Sequence, residues 1–226
     1  LGNDGFWRPI KLLIPEGSLL CAKSPSPVGA RSEVCFLIPD VLFAALAPAV
    51  QSGVEAGNHG VHGVGFSNQH SPTFIYYETV AGGGGARLVK DGADGIYTVN
   101  NLPIETMEME FPIMADRLTF VADSAGPGRF RGGLGIRKDY RMLVDTFVAT
   151  HSNRHRIPGP GLMGAKDGTL TRIVRNVDSE HPELLPRESA FIPMDPQDTV
   201  TLISGGGGGY GGGLRTHRKL VVGSEP

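Results

Sequence analysis

Short runs of β-branched and aromatic residues alternate along the chain with clusters of glycine and proline, a rhythm that predicts many short strands joined by tight turns. Thr73 to Val80, Thr-Phe-Ile-Tyr-Tyr-Glu-Thr-Val, reads as a buried strand. Arg117 to Val121, Gly135 to Leu143, Thr146 to Ser152 and Thr199 to Ser204 read as further strands. Trp7 to Leu20 reads as two short strands about a Pro15-Glu16-Gly17 turn, and Glu105 to Phe111 as a strand whose Met107, Met109 and Phe111 share one face. Val54 to Ser71 is rich in Gly, His and Asn and predicts no element, and Ile157 to Gly168 reads as a loop. Arg31 to Val50 has a different period. Val34, Leu37, Val41, Leu42, Ala45, Leu46 and Ala49 recur at helical spacing, with a kink or a start expected at Pro39-Asp40 and Leu37 and Leu42 expected in the core. The expected fold is α+β: β-rich, many short strands, one main helix near residues 33–50 and glycine-rich turns.

Composition sharpens this picture at glycine. There are 33 glycines in 226 residues, concentrated at Gly82 to Gly85, Gly132 to Gly135 and Gly205 to Gly213, each run set between strand-like segments. A flexible linker would continue as Ser, Pro or charge, so these runs mark places where the backbone turns tightly or approaches something closely. Charge excludes more than it suggests: 21 Lys plus Arg against 23 Asp plus Glu gives a formal charge of -2 with no basic block, which argues against nucleic-acid binding. No apolar run is long enough to span a membrane. Cys21 and Cys35 have no zinc-like spacing and are expected as ordinary thiols of a cytoplasmic protein, with a single disulfide as the alternative. A chain opening Leu1-Gly2-Asn3 without a methionine is expected to be a fragment or one piece of a split subunit.

Several polar clusters are candidates for chemistry. His59 and His62, in Asn58-His-Gly-Val-His62 with His70 following, are suited to hydrogen-bonding a substrate or, with a third ligand that the spacing does not supply, to holding a metal. Glu78 beside Tyr77 precedes Gly82 to Gly85, where a carboxylate can orient a substrate while the N–H groups of Gly83 and Gly84 receive an anion. Asn153 and Arg154 follow a strand and offer donors for an anionic group, the competing role for Arg154 being a surface or subunit salt bridge. The glycine runs satisfy neither the phosphate-loop nor the dinucleotide pattern, and no nucleophile elbow is present.

Taken in order, Phe6-Trp7-Arg8-Pro9-Ile10, Ile14 to Leu20, Phe74 to Thr79 with Gly82 to Gly85, Asp91-Gly-Ala-Asp-Gly95, Gly126 to Gly135 and Gly205 to Tyr210 resemble the C-terminal part of the hydantoinase B family. That family takes in hydantoinase, 5-oxoprolinase and acetone or acetophenone carboxylase subunits. The resemblance implies that residues 1–226 are a C-terminal portion of such a subunit, working in a heteromeric complex with the rest of it and with a hydantoinase A-like, ATP-binding partner. It implies an ATP-dependent amidohydrolase opening a cyclic amide, with a ketone carboxylase or a non-catalytic assembly segment as alternatives. ATP and Mg would sit mainly on the partner, and a divalent metal, Zn or Mn, would draw its ligands mostly from outside this chain. Glu78, His59 and His62 would then be catalytic, and Tyr77, Gly83, Gly84, Asn153 and Arg154 would position substrate or anion. The histidines of Asn58 to Gly63 and the continuation Thr216-His-Arg-Lys-Leu220 depart from the family pattern.

Overall fold

The computed structural model describes residues 5, 8–29, 31–69, 73–96 and 100–213. The chain divides into two units, Leu1–Arg31 and Ser32–Pro226. In the first, the Pro15 to Ser18 turn forms, with Gly17 at φ +75° and the Ser18 N–H donating to the Pro15 carbonyl at 3.3 Å. The two flanking strands expected there do not form across residues 8–20. An isolated hairpin has nothing to bury its apolar side chains against, and Leu12, Leu13 and Leu19 are exposed.

The second unit holds the sheets. Its helix α1 (Arg31–Leu46) is followed by strands β1 (His62–Asn68) and β2 (Phe74–Val80), a short helix α2 (Ile104–Glu110), and strands β3 (Ile113–Phe120), β4 (Ile136–Met142) and β5 (Thr146–Ser152). Four more strands complete it: β6 (Arg172–Arg175), β7 (Glu183–Leu184), β8 (Glu188–Met194) and β9 (Thr199–Ile203). One antiparallel sheet has the order β2-β1-β5-β8 and the other β3-β4-β9-β6-β7. Inward side chains of both, among them Val64, Phe66, Tyr76 and Val148 from the first and Tyr140, Met142, Val200 and Leu202 from the second, make one core. The Phe66 and Tyr140 rings meet across it at 5.0 Å. This is an α+β protein with many short strands.

Two expectations are corrected here. Ile104–Glu110 is a helix, because burial follows Met107, fully enclosed, and leaves Met109 on the solvent side, a 3.6-residue and not a two-residue period. Helix α1 runs through Pro39 and ends at Leu46. Leu42 is exposed and Leu37 half-buried, while the residue of the helix that is buried is Asp40.

The glycine runs are neither strand nor linker. Extended segments around Gly57, Gly82 to Gly85, Gly92, Gly126 to Gly133, Gly159 to Gly168 and Gly205 to Gly209 lie side by side and hydrogen-bond to different neighbours in turn. Gly84 donates to the Ala93 carbonyl at 2.9 Å and accepts from Gly133 at 2.8 Å; Gly207 donates to Gly133 at 3.0 Å and accepts from Gly126 at 2.8 Å; Gly208 donates to Gly57 at 2.8 Å. The segments approach so closely that a Cβ at Gly83 would lie 2.0 Å from the Gly133 carbonyl oxygen. Glycine is needed for that approach rather than for an unusual φ. A small second core of Ala47, Val54, Ala86, Phe130 and Tyr210 ties the end of α1 to this bundle.

Candidate functional site

The inner face of α1 sets the geometry. Glu33, Leu37 and Asp40 are spaced four and three apart and fall on one side of the helix. Asp40, 7% exposed, pairs with the Arg154 guanidinium and accepts from Asn58 Nδ2 at 3.0 Å and from the Asn58 N–H at 3.3 Å. Arg154 follows β5 in the left-handed region at φ +64° and also donates to the Pro158 carbonyl at 3.3 Å. Next to it, Asn153 Oδ1 accepts from the Val61 N–H at 2.9 Å and its Nδ2 donates to the Glu33 carbonyl at 3.3 Å. Arg154 does form an ion pair, but a buried one within the chain and not one at the surface or between subunits, and its partner, a lone acid in the apolar run Ile-Pro-Asp-Val-Leu, was the signal that sequence reasoning passed over.

His59 and His62 are brought together, ring centroids 5.3 Å apart, beside this pair. They differ in chemistry. His62 is fully buried, with Nδ1 2.6 Å from Ser152 Oγ and Nε2 3.2 Å from Thr171 Oγ1, so both ring nitrogens are engaged by hydroxyls. His59 Nδ1 is buried with no hydrogen-bond partner among the described residues. Burial first, and the Arg154 charge second, lower the His59 pKa to about 4, and burial holds His62 well below the usual histidine range. The pair does not suit a metal: His62 has no nitrogen left to give, and no group of three or more His, Cys, Asp or Glu suited to an ion occurs among the described residues. His70 lies outside the described residues.

Beside His59 opens a cleft of about 310 Å³, walled by Phe36 and Pro39 of α1 and by Gly84 and Gly85, with Glu55, Arg87 and Lys90 among its lining residues. Arg87 is paired with Glu55 at 2.6 Å. A Cβ at Gly82 would lie 2.3 Å from the His59 ring, so the start of the glycine run makes the space this imidazole occupies. With Asp91 also on the lining, two basic and two acidic side chains stand beside a neutral imidazole, which suits a small polar ligand without net charge.

The remaining candidates lie elsewhere. Gly83 and Gly84 donate to the Gly205 and Ala93 carbonyls at 3.1 and 2.9 Å, so neither amide is left for an anion, and the role expected of them gives way to bundle packing. Glu78 points into the core between the sheets. Its carboxylate accepts from Lys138 Nζ at 2.5 Å and from the Tyr140 and Tyr76 hydroxyls, and Lys138 is equally buried. Tyr77, one residue earlier, faces outward by strand alternation, its hydroxyl 2.7 Å from His151 Nε2 and its ring stacked on that imidazole at 5.4 Å. His151 Nδ1 lies 2.7 Å from Glu33 Oε1.

The sequence matches the family model described as Hydantoinase B/oxoprolinase over residues 2–213. The chain belongs to the hydantoinase B/oxoprolinase family. It is 29% identical over 226 residues to the B-type subunit of a putative D-/L-hydantoinase of Pseudomonas sp. (strain NS671), an alignment covering 97% of this chain and 38% of that protein. Its fold is similar to the crystal structure of an ATP-dependent caprolactamase from Pseudomonas jessenii, with a TM-score of 0.78 and 25% identity over 93% of this chain and 40% of that one. An acetone carboxylase in its nucleotide-free state is similar in fold, with a TM-score of 0.59 and 18% identity over 75% of this chain and 29% of that one. The chain thus spans about 40% of the length of its hydantoinase and caprolactamase relatives. No helix among the described residues is long and apolar enough to cross a membrane.

A pH dependence follows from the buried histidines. His59 holds its proton less tightly folded than unfolded, so its contribution to stability is complete above pH 6.5 and drains away as the pH falls toward about 4. The amount is on the order of 3 kcal/mol. Asp40, raised to about 6 by burial against the pull of Arg154, has the opposite sign: its contribution is complete below about 3.8 and is lost as the pH rises to about 6. His59→Gln is therefore expected to flatten the decline between pH 6.5 and 4, measured as the urea midpoint at each pH. An unaltered slope would mean that His59 is not buried as a neutral ring.

Proposed function

We propose that this chain is a C-terminal portion of the B-type subunit of an ATP-dependent amidohydrolase that opens a small cyclic amide, a hydantoin, a lactam or 5-oxoproline. The observation that carries this reading is the 0.78 TM-score to an ATP-dependent caprolactamase, together with 28% sequence identity to the beta chain of a caprolactamase over 97% of this chain. The acetone carboxylase is similar at a level that concerns fold alone.

The chemistry needs ATP because an amide carbon is a poor electrophile: a phosphoryl group on its oxygen lets water add, the ring C–N bond then breaks as the nitrogen takes a proton, and hydrolysis of the acyl phosphate so formed releases phosphate. ATP and its Mg would be held by a hydantoinase A-like partner. A divalent metal used by the complex, Zn or Mn, would draw its ligands mostly from outside this chain.

The test is to purify the complex with the chains that accompany it and follow ADP release with a hydantoin, 5-oxoproline, ε-caprolactam and acetone, each with and without bicarbonate. ATP use with ring opening and no need for bicarbonate is the expected result. Strict dependence on a ketone with bicarbonate would replace it with the carboxylase.

A further inference from the structure

Strands β2 and β5 are not neighbours; β1 runs between them. Strands two apart are separated by roughly 9.5 Å, and a side chain on the central strand ordinarily stands between theirs. Here the central position is Gly63, which faces Thr79 of β2 in one direction and His151 of β5 in the other. A Cβ on Gly63 would lie 2.1 Å from His151 Nε2 and 2.4 Å from the Tyr77 hydroxyl. The missing side chain is what lets the two meet. The third member, Glu33, is brought by α1, whose position is held by Asp40 with Arg154 and by the Glu33 carbonyl with Asn153.

We propose that Glu33, His151 and Tyr77 form a proton-delivery chain in which the Tyr77 phenol is the catalytic acid that protonates the departing nitrogen of the substrate, with His151 and Glu33 as positioning residues. This rests on the cyclic-amide reading above. The order carboxylate, imidazole, hydroxyl is the one that fixes an imidazole's tautomer and stabilises its cation in acyl-transfer sites. With His151 as imidazolium, Nδ1–H donates to Glu33 and Nε2–H donates to the phenol oxygen, which turns the phenol O–H toward solvent. Tyr77 is half exposed, so that proton can reach a ligand on the outer face of the sheet. As the C–N bond breaks, its electron pair takes the phenol proton, the phenol oxygen takes the Nε2 proton, and His151 is left neutral against an unchanged Glu33 carboxylate. Water returns the proton to His151 for the next turnover. Burial first, and the Glu33 charge second, raise the Tyr77 pKa above the usual phenol value, so the phenol gives up its proton only as the Nε2 proton replaces it.

The experiment uses Tyr77→Phe in the purified complex, since phenylalanine keeps the stack on His151. Expected is a fall of about 100-fold in ring-opened product per ATP consumed, with amide-dependent ADP release retained and the thermal midpoint unchanged. Glu33→Gln is expected to lower kcat about 10-fold with KM held. Equal product per ATP in Tyr77→Phe and wild type would overturn the proposal. If no cyclic amide drives ATP use in the wild-type complex, the amide reading fails by itself. The proton chain is then decided on the full chain by N-acetylimidazole, whose acetyl group moves to the phenol oxygen as the phenol proton leaves. Tyr77, followed by peptide mass, is expected to acetylate about 10-fold faster in wild type than in His151→Phe. Equal rates would overturn the proton chain whatever the substrate.

Discussion

Gly207→Ala is expected to lower the stability of the fold severely. The added methyl would lie 1.9 Å from the Gly84 carbonyl oxygen and 2.3 Å from its carbon. These are backbone atoms with no rotamer to escape into. Gly84 is itself fixed, donating to Ala93 and accepting from Gly133, and Gly133 in turn accepts from Gly207, so relief at one contact breaks the next. The penalty is expected to exceed about 4 kcal/mol, the upper end for single substitutions. Against a total stability of roughly 5–15 kcal/mol this takes from about a quarter to nearly all of the margin that keeps the chain folded. Gly29→Ala is the matched control, because nothing lies within 4 Å of the position its Cβ would take. Denaturant curves of the two variants test the bundle. A Gly207→Ala protein within about 1 kcal/mol of wild type would show that the segments can move apart cheaply.

The second large effect is expected at Glu78. Glu78→Ala removes the carboxylate that faces Lys138 and the two phenols, leaving a buried ammonium without its counter-charge. Breaking such a pair from one side costs about 3–5 kcal/mol, far more than the pair itself contributes. Replacing both partners, as in Glu78→Leu with Lys138→Met, is expected to recover much of the loss because no charge is then stranded. Calorimetry on the two variants separates this structural role from the catalytic one that the sequence suggests. A Glu78→Ala protein that melts like wild type while turnover falls would return Glu78 to the chemistry.

Much of the sheet framework was legible, because β2, β4, β5 and β9 carry the branched and aromatic side chains that a half-buried pleated surface favours. Strand β1 was not: His62–Asn68 contains Gly63 and Gly65, and its outward face is nearly bare. Strand β8 ends in Phe-Ile-Pro-Met, where proline is tolerated because the strand lies at a sheet edge. In α2 the alternation of Glu with Met imitated a strand period, and only the burial of Met107 revealed the helical one.

At the site, His59, His62, Asn153 and Arg154 could be picked out one by one, and the structure gathers them. What the sequence could not supply were their partners, since Asp40 and Arg154 are 114 positions apart and Glu33 and His151 are 118. Glycine itself was ambiguous. Its freedom lets a backbone receive an anion or press against another backbone, and nothing local tells the two apart.

The bundle also bears on how the gene can change. Any missense change at a glycine codon introduces a residue with a Cβ, and at Gly83, Gly132, Gly133 and Gly207 that atom would arrive within about 2 Å of a carbonyl oxygen. Along these segments a single substitution therefore leads off the fold rather than across it.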